Sequence, residues 1–445
     1  MLIAFCMVFL FLGAAIFAVA GRWKDEGFYS TGFVFTLGAF FYFISIPIEK
    51  FARGIENGFA TNVFLGVPVW PDFHVKVFAM GLAAIIFFIL GLRLSGFKSK
   101  APDVALPDKG QGVAVFEGAL WVMWLSLICI MLVFFDDFIH RAMRSYEDSY
   151  SVQYSSPLPT LICQLIEILN AVLGVCLGLR KRIVPMMGAT LLFALNFALT
   201  FLFTEKSPAV ISMIGMGCLY FALIRDRRLA IVGALSGIIL LIFVLKPVFD
   251  IISTYKYPAN QIVDQLLSRK PTLLNLDSAG PMAVIAHTLE EEEKPFWGQE
   301  LVQTFSIFVP RTFWQDRPAD PSEAVAQEII PNWKPGMGMG YSPLIEGYRN
   351  FGFWLSPLEF FIFGLLWGWL WRGFMKAFAF YNAPAHLDII YRVAGYYVLI
   401  LFFRGMIAGS LKQALMYIIP FAISLAGMQM LVWLSNRPQI KRFID

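Results

Sequence analysis

Four cations and one acid stand where side chains can work on phosphate oxygens. Arg311 and Arg317 lie in Val309-Pro-Arg-Thr-Phe-Trp-Gln-Asp-Arg-Pro318, among rings and prolines that stiffen the backbone. A guanidinium is always charged and presents a rigid fork of donors that matches phosphate geometry. Arg404 comes fifteen positions into an apolar segment, and Lys206 occupies the short link Thr204-Glu-Lys-Ser-Pro208. Ionisable groups at membrane depth are costly and point to function by default. The plainer alternative is that all four are solvated or snorkelling side chains at headgroup level.

Glu346 is the acid. It sits in Gly338-Met-Gly-Tyr-Ser-Pro-Leu-Ile-Glu-Gly-Tyr-Arg-Asn-Phe-Gly352, beside Tyr348 and Arg349. A carboxylate half removed from water with an arginine alongside is under opposed pressures on its proton, which suits a general base. A structural ion pair with Arg349 explains the same pattern. Gln164, Glu167 and Asn170 recur every three residues and so share one helix face. That stripe must look into the protein, either as interhelical hydrogen-bonding glue or as the lining of a path. His287 has no second His at metal spacing, the acidic run Glu290–Glu293 reads as a solvated face, and the five cysteines show no paired spacing.

The elements that must position these residues are apolar helices. Of 445 residues, 58% are hydrophobic and 15% charged, against roughly a quarter charged in an ordinary soluble domain. About 20 apolar residues cross a bilayer core. Such runs fall at 2–20, 29–48, 74–94, 114–135, 158–179, 184–203, 207–224, 229–247, 353–371, 389–409 and 414–434. The expected fold is therefore an all-α polytopic membrane protein of about eleven transmembrane helices. The first apolar run lacks a basic leader, so it is expected to be a retained helix.

Basic residues orient the chain. One set of alternate loops and the tail holds Arg22, Lys24, Arg93, Arg180–Arg182, Arg225, Arg372, Arg442 and their neighbours, seventeen in all; the opposite short loops hold eight. The first set is expected in the cytoplasm, leaving the N-terminus outside and the C-terminus inside. Between Lys246 and Ser342, roughly ninety residues form an outer loop too long for a plain connection. Helix-like pieces around 259–268 and 281–293 suggest a folded cap. The expected divisions are helices 1–8 over 1–246, the large outer loop over 247–342, helices 9–11 over 343–434, and a cytoplasmic tail over 435–445.

This order resembles the O-antigen and oligosaccharide repeat-unit polymerases, the Wzy family. Their pattern is an outer loop ending in aliphatic-Pro-Arg and Lys/Arg-Pro, then Glu-x-Tyr-x-Asn-Phe-Gly, then an Arg near the outer end of the following helix. Val309-Pro310-Arg311, Arg317-Pro318, Glu346-Gly-Tyr348-Arg-Asn350-Phe351-Gly352 and Arg404 carry the likeness, over about a quarter of the chain. Lys206 departs from it, since relatives often place Arg there and lysine lacks the bidentate fork.

The resemblance implies a GT-C-like, metal-independent glycosyltransferase without cofactor, with its large loop in the periplasm and its helices in a bacterial inner membrane. Its substrate would be an undecaprenyl-diphosphate-linked oligosaccharide, extended by one repeat unit per cycle. Arg311, Arg317, Arg404 and Lys206 would hold the diphosphate, with Glu346 as base and Tyr348 and Arg349 in support. A chain-length-regulating co-polymerase is a further implied partner; nucleic acid is not. The absence of any Asp-x-Asp pair agrees with metal independence. Two rivals stay open: an O-antigen ligase, which shares carrier and cation logic, and a transporter or flippase of a lipid-linked or anionic substrate, which favours matched broken helices.

Overall fold

The computed structural model describes residues 2–20, 30–53, 71–98, 111–133, 157–203, 207–223, 276–290, 295–309, 313–318, 321–329, 340–378 and 384–435, with isolated positions 233 and 236. All regular structure among the described residues is helical. Six helices there are long and apolar enough to cross a membrane: Leu2–Val19, Thr31–Ala52, Asp72–Leu94, Val115–Val133, Leu161–Gly178 and Ile183–Thr200. Leu2, Phe5, Phe9, Leu12 and Ile16 of the first stand exposed on one another's flanks. An apolar surface of that extent suits lipid and not water. The chain is a multi-pass helical membrane protein.

It divides into two compact units, neither a continuous stretch of sequence. The first comprises Met1–Ala101, Val232–Arg372 and Val398–Lys412; the second comprises Pro102–Ile231, Gly373–Tyr397 and Gln413–Asp445.

In the first unit, α1 spans Leu2–Val19 and α2 Thr31–Ala39, which passes through a π-helical turn, Phe40–Ile44, into α3, Ser45–Arg53. Ser30 caps α2, its Oγ accepting from the Phe33 N–H at 3.1 Å, as capping residues do. Helix α4, Pro71–Leu94, opens on Pro71 and Asp72 and closes on Arg93, the arrangement that complements a helix dipole. Arg93 donates to the carbonyls of Phe17 and Ala20, satisfying the open end of α1.

The unit's core is aromatic. Phe35 stacks on Phe88 and Phe363 on Phe402, each pair with centroids 3.7 Å apart. Small residues bring backbones together here: a methyl on Gly91 would strike the Phe361 carbonyl, and one on Gly364 the Phe88 carbonyl. Close approach through glycine is a recurrent way for membrane helices to associate.

The expected outer loop contributes α9, Leu276–Glu290; α10, Gln299–Phe305; a 3-10 turn, Ser306–Phe308; and α11, Pro321–Ile329. Helix α9 covers much of the piece expected at 281–293, and that at 259–268 lies outside the described residues. It packs on the Phe40–Ile44 turn, on α11 and on α12, Pro343–Leu355. Helix α13 follows at Pro357–Phe378.

In the second unit, α5 is Gln111–Val133, α6 Pro157–Gly178, α7 Ile183–Phe203, α8 Ser207–Leu223 and α14 Pro384–Ile390. A π-helical turn, Tyr391–Gly395, follows in this unit and leads to α15, Tyr396–Phe402, most of which belongs to the first unit; the last helix, α16, Ile407–Ser435, begins in the first unit and continues in the second from Gln413. Helix α6 is the central element, packed against α5, α7 and α8. The span expected at 229–247 lies outside the described residues, apart from two positions. The span expected at 353–371 is displaced to α13, that at 389–409 is covered by α14, a π-helical turn and α15 and ends at Phe402, and that at 414–434 lies within the longer α16.

Candidate functional site

The site grows from the start of α12. Ser342 caps this helix, accepting from the Leu344 N–H at 3.2 Å, and Pro343 takes the first helical position. Residues 343–347 are buried, so Glu346 enters the protein on the packed face of α12. The helix breaks at Gly352, where φ is +72° and ψ 177°, a backbone conformation open almost only to glycine. Ser356 and Pro357 then start α13. The break falls between two acids, Glu346 before it and Glu359 after it. Both are fully buried.

Glu346 Oε2 accepts a hydrogen bond from the Ile407 backbone N–H at 2.8 Å. A carboxylate at the first N–H of a helix suits both the unsatisfied donor and the dipole. Asn350 donates to the Glu346 carbonyl at 2.8 Å and accepts from the Leu301 N–H at 3.0 Å, which ties α12 to α10. Glu300, buried on α10, meets Arg349 Nε at 3.2 Å and accepts from the Tyr341 hydroxyl at 3.0 Å. Burial, and after it the Glu300 carboxylate, pushes the Tyr341 phenol well above its ordinary pKa, so it stays a donor. The Arg349 guanidinium also lies over the Phe296 ring, 5.3 Å from its centroid.

The expected site residues divide as follows. Glu346 and Arg404 are brought near each other, because Glu346 binds Ile407 and Arg404 is three residues earlier; that separation allows at most about 11 Å between the Cα atoms of 404 and 407. Arg404 lies in the turn after α15 and is exposed. Arg349 is engaged by Glu300, and Tyr348 is half-buried on the same helix. Arg317 donates through Nη1 to the carbonyls of Val309 (3.1 Å) and Ile307 (3.4 Å), bracing the turn that leads into Pro310-Arg311. Arg311 and Lys206 lie outside the described residues.

Two acids of this cluster, Glu300 and Glu359, were not expected. Glu359 carried a usable signal, since it is an ionisable residue inside an apolar run. Glu300, in a polar loop stretch, carried none. Among the described residues no group of three or more His, Cys, Asp or Glu is arranged to hold a metal ion.

In the second unit one residue of the polar stripe on α6, Asn170, bonds across helices through its side chain, and Glu167 contributes its backbone carbonyl. Asn170 accepts from Trp124 Nε1 and donates to Asn196 Oδ1, both at 2.7 Å, and Asn196 donates to the Glu167 carbonyl at 2.8 Å. Three helices are thereby joined, α5, α6 and α7. Buried Arg392 is neutralised on its own turn, donating to Asp388 Oδ2 at 2.6 Å and to the Tyr396 hydroxyl at 3.2 Å. Glu117 binds both Arg180 and His386.

Compared with known proteins, the chain matches no family model, no curated protein and no solved structure.

Proposed function

We propose that the protein is a membrane glycosyltransferase that polymerises oligosaccharide repeat units carried on a polyprenyl diphosphate, of the kind built on undecaprenol. The observation that supports this best is the bond from Glu346 to Ile407. It joins two motif segments about sixty residues apart in sequence, and sets the exposed Arg404 close to a dense acid–arginine–tyrosine cluster. In the reaction, the bond between the anomeric carbon and the diphosphate oxygen breaks. A bond forms from the acceptor hydroxyl oxygen to that carbon, the hydroxyl proton passes to the departing diphosphate or to water, and the lipid diphosphate departs with the electron pair. Preplaced cations stabilise the charge that develops on the leaving oxygens.

Arg404 is the cation placed to do this, with Arg311 and Arg317 on the connecting loop and Lys206 as a further candidate. Glu346 is sealed from solvent and engaged with Ile407, so we place it as a positioning residue for the turn of Arg404. Service as general base would require it to open toward the acceptor. The proposed setting is the inner membrane, with eleven spans, Lys246–Ser342 in the periplasm, and Arg180–Arg182 and Arg442 in the cytoplasm.

The test is glycan laddering in cells whose only copy carries Arg404→Ala or Arg311→Ala. Both variants are expected to reach the membrane at wild-type level and lose the ladder, with Lys replacements recovering little where the fork matters. Wild-type ladders in both would overturn the reading. Loss of transfer to lipid A with ladders intact would identify a ligase instead.

A further inference from the structure

Glu359 is an acid set inside an apolar helix. It occupies the first turn of α13 and is fully buried, and neither of its carboxyl oxygens has a hydrogen bond of full geometry. What its carboxyl meets at hydrogen-bonding reach is the carboxyl of Glu346, with the Asn350 amide alongside. That amide already donates to the Glu346 carbonyl. Glu300 adds further negative charge, and the Arg349 guanidinium and the Tyr341 hydroxyl both engage Glu300.

Two ionised carboxylates have no donor to share. At about 4 Å and an effective dielectric near 20, their repulsion is roughly 4 kcal/mol. A single proton between them removes one charge and creates an O–H···O⁻ bond, among the short, strong kinds. The geometry also says what the shared proton does. Glu346 uses its other carboxyl edge to hold the Ile407 N–H, so a pair at rest keeps that edge aimed at the first turn of α16.

We propose that Glu346 and Glu359 hold one proton between them, and that this carboxyl pair pins the start of the last helix and with it the turn carrying Arg404. Glu359 is thus a positioning residue, and the assignment stands whatever reaction the chain performs.

The test uses the purified full chain in lipid nanodiscs and infrared difference spectra in H2O and D2O. The wild type is expected to show the C=O stretch of a protonated carboxylic acid, shifting in D2O. Glu359→Gln and Glu346→Gln should each lose it, because an amide then donates to the remaining carboxylate. A wild type without the band, or a band unchanged in Glu359→Gln, overturns the shared proton. Positioning is read by backbone amide exchange over residues 404–410. Glu359→Gln should protect this stretch like the wild type. Glu359→Leu should speed its exchange on the order of tenfold or more, as expected when a local tether is lost. Unchanged protection in Glu359→Leu overturns the positioning role.

Discussion

Arg349 Nε lies 3.2 Å from Glu300 Oε1, an ion pair from α12 to α10. Their side chains are only 15% and 8% exposed, so the pair is buried, and removing one partner leaves an uncompensated charge. Such losses cost about 3–5 kcal/mol, whereas removing both partners is far milder. Arg349→Met is therefore expected to lower the melting temperature sharply. Adding Glu300→Gln should restore most of the loss, since the amide still accepts from Tyr341. Thermal unfolding of the two single variants and the double decides it. Strictly additive losses would mean that the pair carries no coupling.

The helical character of the chain was legible because it depends on local runs. The spans expected at 158–179, 184–203 and 207–224 match α6, α7 and α8 to within one residue at either end. In each case apolar residues stop at charged or proline-containing links. Where the chain bends inside the apolar stretch, the reading failed. The run at 353–371 gave no hint that Gly352 takes a left-handed conformation and that a new helix begins at Pro357. The π-helical turns at Phe40–Ile44 and Tyr391–Gly395 are equally silent, since tertiary packing and not composition inserts the extra residue.

The site was half legible for the same reason. Glu346 and Arg404 stood out as charges at membrane depth, and the Gln164-Glu167-Asn170 stripe showed its periodicity. Their partners did not. Ile407 contributes only a backbone N–H, Trp124 and Asn196 lie on other helices, and Glu300 sits in an ordinary polar stretch. A single sequence carries periodicity within a helix and says nothing of which helix comes alongside.

The seam between α4 and α13 gives a sharp steric prediction. Gly91→Ala or Gly364→Ala would drive a methyl into the backbone of the facing helix, and backbone cannot give way as a flexible side chain does. Overpacking of this kind costs about 1–3 kcal/mol or more. By contrast, a methyl on Gly13 in α1 meets nothing within 4 Å. There the change should be neutral or stabilising by about 0.5–1 kcal/mol, from lower chain entropy. Membrane yield and melting of the three variants, side by side, provide the check. A Gly91→Ala protein as stable as Gly13→Ala would mean that the helices do not approach so closely.

Glu346→Gln separates positioning from proton transfer. The amide oxygen can still accept from the Ile407 N–H, and the amide NH2 can face Glu359, so the fold and the turn of Arg404 should persist. With Glu346 fully buried, turnover on a lipid-linked substrate is expected to stay within about tenfold of the wild type. General acid–base catalysis typically contributes 10²–10⁴-fold. Glu346→Ala differs, because it leaves the Ile407 N–H buried without its acceptor, a loss of about 1–3 kcal/mol, and frees the turn. Both melting and turnover should fall in that variant. Turnover and melting are measured together on purified protein. A Gln variant that melts like the wild type yet loses 10²-fold or more in turnover would make Glu346 the base, and its sealed carboxyl would then have to open during the cycle.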